Sequence, residues 1–256
     1  KLQAKNTSIH EELQKTVGMI GTKFYIDKIK EMLYQPWDCT TNKDSKISKW
    51  SKDNDQAQKV IQYTKSSFLK SYPLNFSSGN LDPTKTWMLG GQIAAINVQS
   101  TEDDFTLINQ VFFSLGKNKG FLLKPNHLIQ GNYVRNASPI LKVNIDFVSG
   151  TMLHSLSSNL ISKINITAHV YGSNEDDKTN EKYVFSTIKE KFINPNFQNE
   201  KVEYYFHNPD ISFILLKIYD DDKMIGRSVV PVGFMMSGVR TLSLYSNDCK
   251  LVNDAR

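Results

Sequence analysis

Apolar positions along the chain change their spacing near residue 130. Upstream, apolar runs alternate with a helical pattern; downstream, short stretches alternate residue by residue or collect β-branched and aromatic side chains. Thr16 to Phe24 reads as a buried strand whose glycines, Gly18 and Gly21, permit close backbone approach. Asn54 to Leu69 places Ala57, Val60, Ile61, Thr64 and Phe68 on one face of an amphipathic helix, with Asp53 available as its cap. Gln92 to Gln99 supplies the small and β-branched residues of a strand buried on both faces. Strand, helix, strand predicts βαβ units and a mostly parallel sheet.

Asn126 to Pro139, with Gly131, Asn132, Asn136 and Pro139, has no sustained period and carries turn formers, so the domain boundary is expected there. The division this gives is a first domain over 9–128, a linker over 129–138 and a second domain over 139–256. In the second, Leu141 to Phe147, Ile164 to Val170 and Ser212 to Tyr219 alternate, and Val202 to Phe206 is a β-prone run rich in aromatics. Asn-, Asp- and Pro-rich turns between them predict an antiparallel sandwich.

Composition agrees with two domains of ordinary size: 256 residues, 39% hydrophobic and 11% aromatic. A charged fraction of 22% with scattered apolar residues excludes a fully disordered chain. No apolar run approaches the roughly 20 residues that span a bilayer, which predicts a soluble protein. Cys39 and Cys249 stand far apart without metal-ligand spacing, so a reducing compartment is expected and a zinc site is not. The polar stretch that follows Lys1 has no signal-like apolar core and reads as part of a longer protein. A net charge of +5 suits an anionic partner. The basic residues do not interleave with aromatics in a nucleic-acid module, so no nucleic acid is expected.

Four ordered elements carry a family resemblance. Lys70-Ser71-Tyr72-Pro73 is followed by Ser77-Ser78-Gly79-Asn80-Leu81-Asp82-Pro83, then by Trp87 to Ser100 with Gly90-Gly91-Gln92, Ala94-Ala95, Asn97 and Gln99, and finally by Gly120 to Pro125. Together they resemble the Y region of eukaryotic phosphoinositide-specific phospholipases C. Leu141 to Phe147, Val170-Tyr171-Gly172, Ile193-Asn194-Pro195, Ile218 to Asp222 and Pro231-Val232 before Gly238-Val239-Arg240 are similar to the C2 domain that follows the barrel in that family. The resemblance implies an α/β half of a TIM-type (β/α)8 barrel followed by an all-β C2 antiparallel sandwich, with the Y region over 9–128 and the C2-type domain over 139–256.

Enzymes of that family cleave phosphatidylinositol 4,5-bisphosphate with catalytic histidines and a Ca²⁺ ion whose ligands belong to the X half of the barrel. None of those groups is expected here, and His10, His127, His154, His169 and His207 lie outside the matching elements, as surface or core histidines. The partners implied are the missing N-terminal barrel half, a phosphoinositide membrane surface and scaffold proteins. The location implied is cytoplasmic and peripheral at the membrane. What the resemblance assigns to the Y half is grip on the headgroup. Tyr72 matches a tyrosine whose ring packs on the inositol, although packing against Pro73 would also explain it. Lys70 stands where the family has a phosphate-binding arginine and offers a point charge in place of a bidentate fork. Lys49 stands where the family has a substrate-binding serine before an aromatic, and Ser51 is displaced from that place. Lys49, Lys70 and Lys124 are candidates for a basic mouth.

The C2-type part departs further. Lys163 replaces an expected Ca²⁺-ligating aspartate, Glu190 or Lys191 stands near another ligand position, and only Asp220, Asp221 and Asp222 remain acidic. Asp220 and Asp222 are weak metal candidates, a solvated turn being the simpler reading. Two functions follow: a contribution of headgroup binding to Ca²⁺-dependent lipid hydrolysis, or a catalytically silent scaffold or lipid- and protein-binding module.

Overall fold

The computed structural model describes residues 12, 16, 18–29, 31–73, 79–117, 121–133, 138–153, 163–180, 182–186, 194–252 and 255. Packing divides the chain into two units, 1–97 with 120–135, and 98–119 with 136–256.

In the first unit, strands β1 (Ile20–Gly21), β2 (Asp38–Lys43), β3 (Phe68–Tyr72) and β4 (Ile93–Ala94) form one sheet in sequence order. Every pairing is parallel, as the alternation of strand and helix predicts. Helices α1 (Asp44–Lys52) and α2 (Asn54–Thr64) lie between β2 and β3, and α3 (Pro83–Met88) between β3 and β4. Asp53 caps α2 as expected, its Oδ1 accepting from Gln56 N at 2.9 Å, and Ala57, Val60, Ile61 and Thr64 are buried along one face.

Three expectations need correction. Among the described residues, the strand drawn over 16–24 is confined to Ile20–Gly21, and none of them lies within 4 Å of where a Cβ on Gly18 would stand. The helix drawn to Leu69 stops at Thr64, and Phe68 opens β3 instead; its phenyl ring satisfied a helical period by coincidence of spacing, while Phe68 to Tyr72 alternates as a strand must. The strand drawn over 92–99 is likewise confined to Ile93–Ala94, because polar side chains take over the pairing around it. Gln92 N donates to Leu69 O at 3.2 Å, and Leu69 N donates back to Gln92 Oε1 at 2.9 Å. The other end of that amide donates to Ser67 O at 3.0 Å. Further on, Asn97 N donates to Asn80 Oδ1 at 2.6 Å, and Asn80 Nδ2 to Asn97 O at 3.3 Å.

The two glycines before Gln92 are equally specific. Gly90 has φ +71°, in the left-handed region. A Cβ on Gly91 would stand 2.9 Å from the Thr86 carbonyl oxygen and 2.5 Å from Thr86 Cγ2. The start of the expected linker is also ordered: Asn126–Gln130 is a short helix, α5, closed by Gly131 at φ +78°. Gln58 and Gln62 of α2 both donate to the Gly131 carbonyl, at 2.8 and 2.7 Å.

The second unit is all antiparallel in its strands. A six-stranded sheet has the order β12 (Leu251–Val252), β11 (Leu244–Tyr245), β10 (Lys223–Pro231), β9 (Phe213–Asp220), β6 (Ile164–Tyr171), β7 (Tyr183–Ser186). A ribbon of β5 (Leu141–Ser149) and β8 (Asn196–Phe206) packs on it. Tyr204 and Phe206 from the ribbon meet Ala168, Val170, Ile214 and Leu216 from the sheet, forming a sandwich core. The four strands expected here all form; β7 and β10–β12 were not anticipated. Helix α6 (Asn174–Thr179) follows β6, and its buried Asp176 accepts from Ser212 Oγ at 2.7 Å and His207 N at 2.5 Å.

Helix α4 (Asp104–Leu115) belongs to this unit and packs against β9 and β10. The anchor is Arg227 of β10, whose side chain has 0% exposure. Its guanidinium donates to the carbonyls of Thr101, Glu102 and Asn247 and to Asp104 Oδ1 at 3.2 Å. Lys217 Nζ holds the other oxygen of Asp104 at 2.6 Å.

Two stability outcomes follow. Arg227→Ala takes the donors from three carbonyls, leaves Asp104 with Lys217 alone and is expected to lower stability by about 3–5 kcal/mol, read from the urea midpoint. Gly91→Ala is expected to cost about 1–3 kcal/mol, because the Thr86 backbone cannot yield; an unchanged midpoint would show that it can.

Candidate functional site

Residues on β3 alternate between two environments. Leu69 and Ser71 are fully buried on the helix-covered face, where Ser71 Oγ lies 2.7 Å from Thr86 Oγ1 of α3. Phe68, Lys70 and Tyr72 therefore occupy the opposite face and are only half-buried. Parallel register sets their neighbours: Thr41 of β2 stands beside Lys70, Lys43 beside Tyr72, and Ile93 of β4 on the other side of Lys70. Lys43 and Tyr72 are the last residues of their strands. The C-terminal edge of the sheet thus carries an aromatic ring and two ammonium groups on one face.

Lys43 was not anticipated. Asp38 to Lys43 shows neither a helical period nor an apolar alternation, and only pairing with β3 reveals that Lys43 shares the face of Tyr72. The same face carries Cys39, in register with Phe68. Burial pushes its thiol pKa up, and the nearby Lys70 charge opposes that shift in part. Cys39 is accordingly a protonated thiol at neutral pH.

The remaining candidates lie elsewhere. Lys49 is exposed in the last turn of α1. Ser51, one residue beyond Trp50, is buried on the packed side of that helix and donates its hydroxyl to Ser48 O at 3.0 Å. Neither belongs to the strand face that presents Lys70 and Tyr72. Lys124 is also drawn away from a basic mouth: Nζ donates to the carbonyl of Thr64, the last residue of α2, at 2.7 Å. A cation there favours the negative end of a helix, while burial pushes the Lys124 pKa down to about 8.

Asp220, Asp221 and Asp222 form the tight hairpin between β9 and β10, with Asp220 paired to Lys223 and Asp221 at φ +51°. Asn165 Nδ2 donates to the Asp221 carbonyl at 2.7 Å. Among the described residues no three His, Cys, Asp or Glu side chains gather where they would hold a metal ion. Among the histidines, His207 is buried against Asp176, with Nδ1 3.3 Å from Oδ1, a packing role within the sandwich unit. His10, His154, Ser77, Ser78, Gly120, Glu190 and Lys191 fall outside the described residues. No described helix is long and apolar enough to cross a membrane.

The family model of the phosphatidylinositol-specific phospholipase C Y domain matches residues 14–127, which hold the whole parallel sheet. Residues 14–127 thus resemble the Y region of phosphoinositide-specific phospholipases C. The 1-phosphatidylinositol 4,5-bisphosphate phosphodiesterase of Dictyostelium discoideum is 26% identical over 210 residues, 75% of this chain and 26% of that protein. The human gamma-2 phosphodiesterase is 22% identical over 211 residues, 76% of this chain and 16% of its own length. The chain thus spans about a quarter or less of these two relatives. Among solved structures, L. pealei PLC21 matches 98% of this chain with a TM-score of 0.79 at 17% identity, over 33% of its own length. At that identity the likeness concerns the fold.

Lys124 offers a titration test. Its folded pKa of about 8 lies below the ordinary lysine value of 10.5, so between those values the unfolded chain binds more protons than the folded one. Stability from this group therefore rises as pH rises through that window. The stability of the native chain minus that of Lys124→Met, measured by urea unfolding from pH 7.5 to 10, is expected to climb; a flat difference would contradict the burial of a charged amine.

Proposed function

We propose that this chain is the C-terminal half of the catalytic barrel and the C2 domain of a phosphoinositide phospholipase C, and that its Y region grips the inositol phosphate headgroup. The observation that carries the reading is the shared face of Lys70, Tyr72 and Lys43 at the carboxyl ends of parallel strands. Active sites of (β/α)8 barrels are built at that end. The four-stranded parallel sheet is the size of half such a barrel, and the match to Y domains supports the assignment. The antiparallel sandwich of 139–256 supports the C2 assignment, with 129–138 as the connection between the two domains.

In this reading the Tyr72 ring lies on the apolar face of the inositol, and the ammonium groups of Lys70 and Lys43 meet ring phosphates as point charges, a looser recognition than a guanidinium fork. The histidines and the Ca²⁺ ligands of the hydrolysis come from the X half that completes the barrel, and the substrate is phosphatidylinositol 4,5-bisphosphate, as in the named relatives. The protein acts from the cytoplasmic side, peripheral to the membrane. A second reading, a catalytically silent binding module or scaffold, draws on the placement of Lys49 and Ser51 on α1, off the face that presents Lys70 and Tyr72.

The deciding measurement is Ca²⁺-dependent release of water-soluble inositol phosphate from labelled lipid by the intact parent protein. Activity is expected, and Tyr72→Ala should lower kcat/KM by roughly 10-fold, as loss of one ring contact would. Lys70→Arg should tighten phosphate recognition and lower KM. No release at any Ca²⁺ concentration would favour the silent module.

A further inference from the structure

Between β10 and β11 the chain makes a long excursion in which residues 233 to 241 are all exposed. Four of them are large and apolar: Phe234 at 59% exposure, Met235 at 36%, Met236 at 71% and Val239 at 89%. Ordinary surfaces scatter such residues singly, so four within six positions mark a contact surface. The backbone is ordered about them. Met235 N donates to Val232 O at 3.1 Å, closing a 3₁₀ turn over Val232–Phe234. Gly238 then reverses the chain at φ +98°, and Arg240 donates to Ser237 O at 3.0 Å. A Cβ built on Gly238 would meet nothing within 4 Å, so the turn projects into open space.

We infer that this loop is a membrane-contacting element of the sandwich unit that inserts Phe234, Met236 and Val239 among lipid chains while Arg240 meets an anionic headgroup. Three observations select a lipid surface. The side chains stand out from a turn, a form that a fluid acyl layer can mould around. Their exposed area is on the order of 400 Å², well under the roughly 800 Å² per partner that a stable protein interface buries, which argues against a second copy of this chain. From Val232 to Asn247 there is no Asp or Glu, and Arg240 is the charged residue of the segment. Asp210 stands beside Gly233 at the start of the excursion, before the apolar residues begin. An apolar tip followed by a cation, in a segment without carboxylates, is the pattern of interfacial insertion.

The inference deepens the membrane contact proposed above by giving it a surface, and its test uses vesicles without any inositol lipid so that the two stand or fall separately. The chain is floated with vesicles of phosphatidylcholine alone and with 30% phosphatidylserine, a composition of roughly physiological anionic content. Binding is expected with both and stronger with the anionic vesicles. Met236→Asp with Val239→Asp should lower the partition coefficient at least about 10-fold while leaving the thermal melt unchanged, and Met236→Trp should raise it. Arg240→Gln should weaken the preference for anionic vesicles. Equal flotation of native chain and double-aspartate variant would overturn the inference. So would absence of native flotation, and so would sedimentation velocity showing a dimer in lipid-free buffer that the double-aspartate variant dissolves, since that assigns the loop to self-association.

Discussion

The parallel sheet of the Y region depends on side-chain amides that stand in for missing strand. With only two residues each in β1 and β4, the backbone ladder at the sheet's edges is short. Gln92 extends it by exchanging two bonds with Leu69, one through its own backbone and one through Oε1. Asn80 does the same for Asn97 from the far side of α3. Each such bond contributes about 1 kcal/mol net, but each backbone group left buried and unpaired would cost about 1–3 kcal/mol. Gly90 and Gly91 serve the same geometry, one by accepting a left-handed turn and the other by letting the chain pass against Thr86. The residues by which this region is most readily recognised are thus largely those that close its sheet.

A corresponding device holds the second unit together with buried charge. Arg227 gathers three backbone carbonyls and Asp104, and Lys217 balances the same carboxylate. Asp176 collects a hydroxyl and backbone amides from the β8–β9 connection. Buried ions add little stability over well-packed apolar groups, yet removing one partner is costly. Their effect is to fix which segments meet. Through Arg227, helix α4, which belongs by sequence to the Y region, is committed to packing with the sandwich strands.

The chemistry of the candidate site follows from alternation across these strands. Because neighbouring residues of β3 face opposite ways, burying Leu69 and Ser71 under the helices obliges Lys70 and Tyr72 to face the other side. Register then adds Lys43. Lys124 is held by the end of α2 and acts on stability instead.

The chain by itself determined a good deal. The period change near residue 130 separated parallel α/β from antiparallel β, the Asp53 cap and the buried face of α2 were legible, and four sandwich strands showed their alternation. Ordered motifs also carried the family likeness. Tertiary structure alone decided the rest. Strands such as Asp38–Lys43, polar and without apolar alternation, gain their stability from neighbours rather than from local pattern. The two-residue β4 falls short of its apolar run because side chains replace the ladder around it. Lys43 joins Tyr72, and Lys49 and Ser51 stand apart from it, because a face of a sheet is composed by pairing between segments distant in sequence, which no local spacing records.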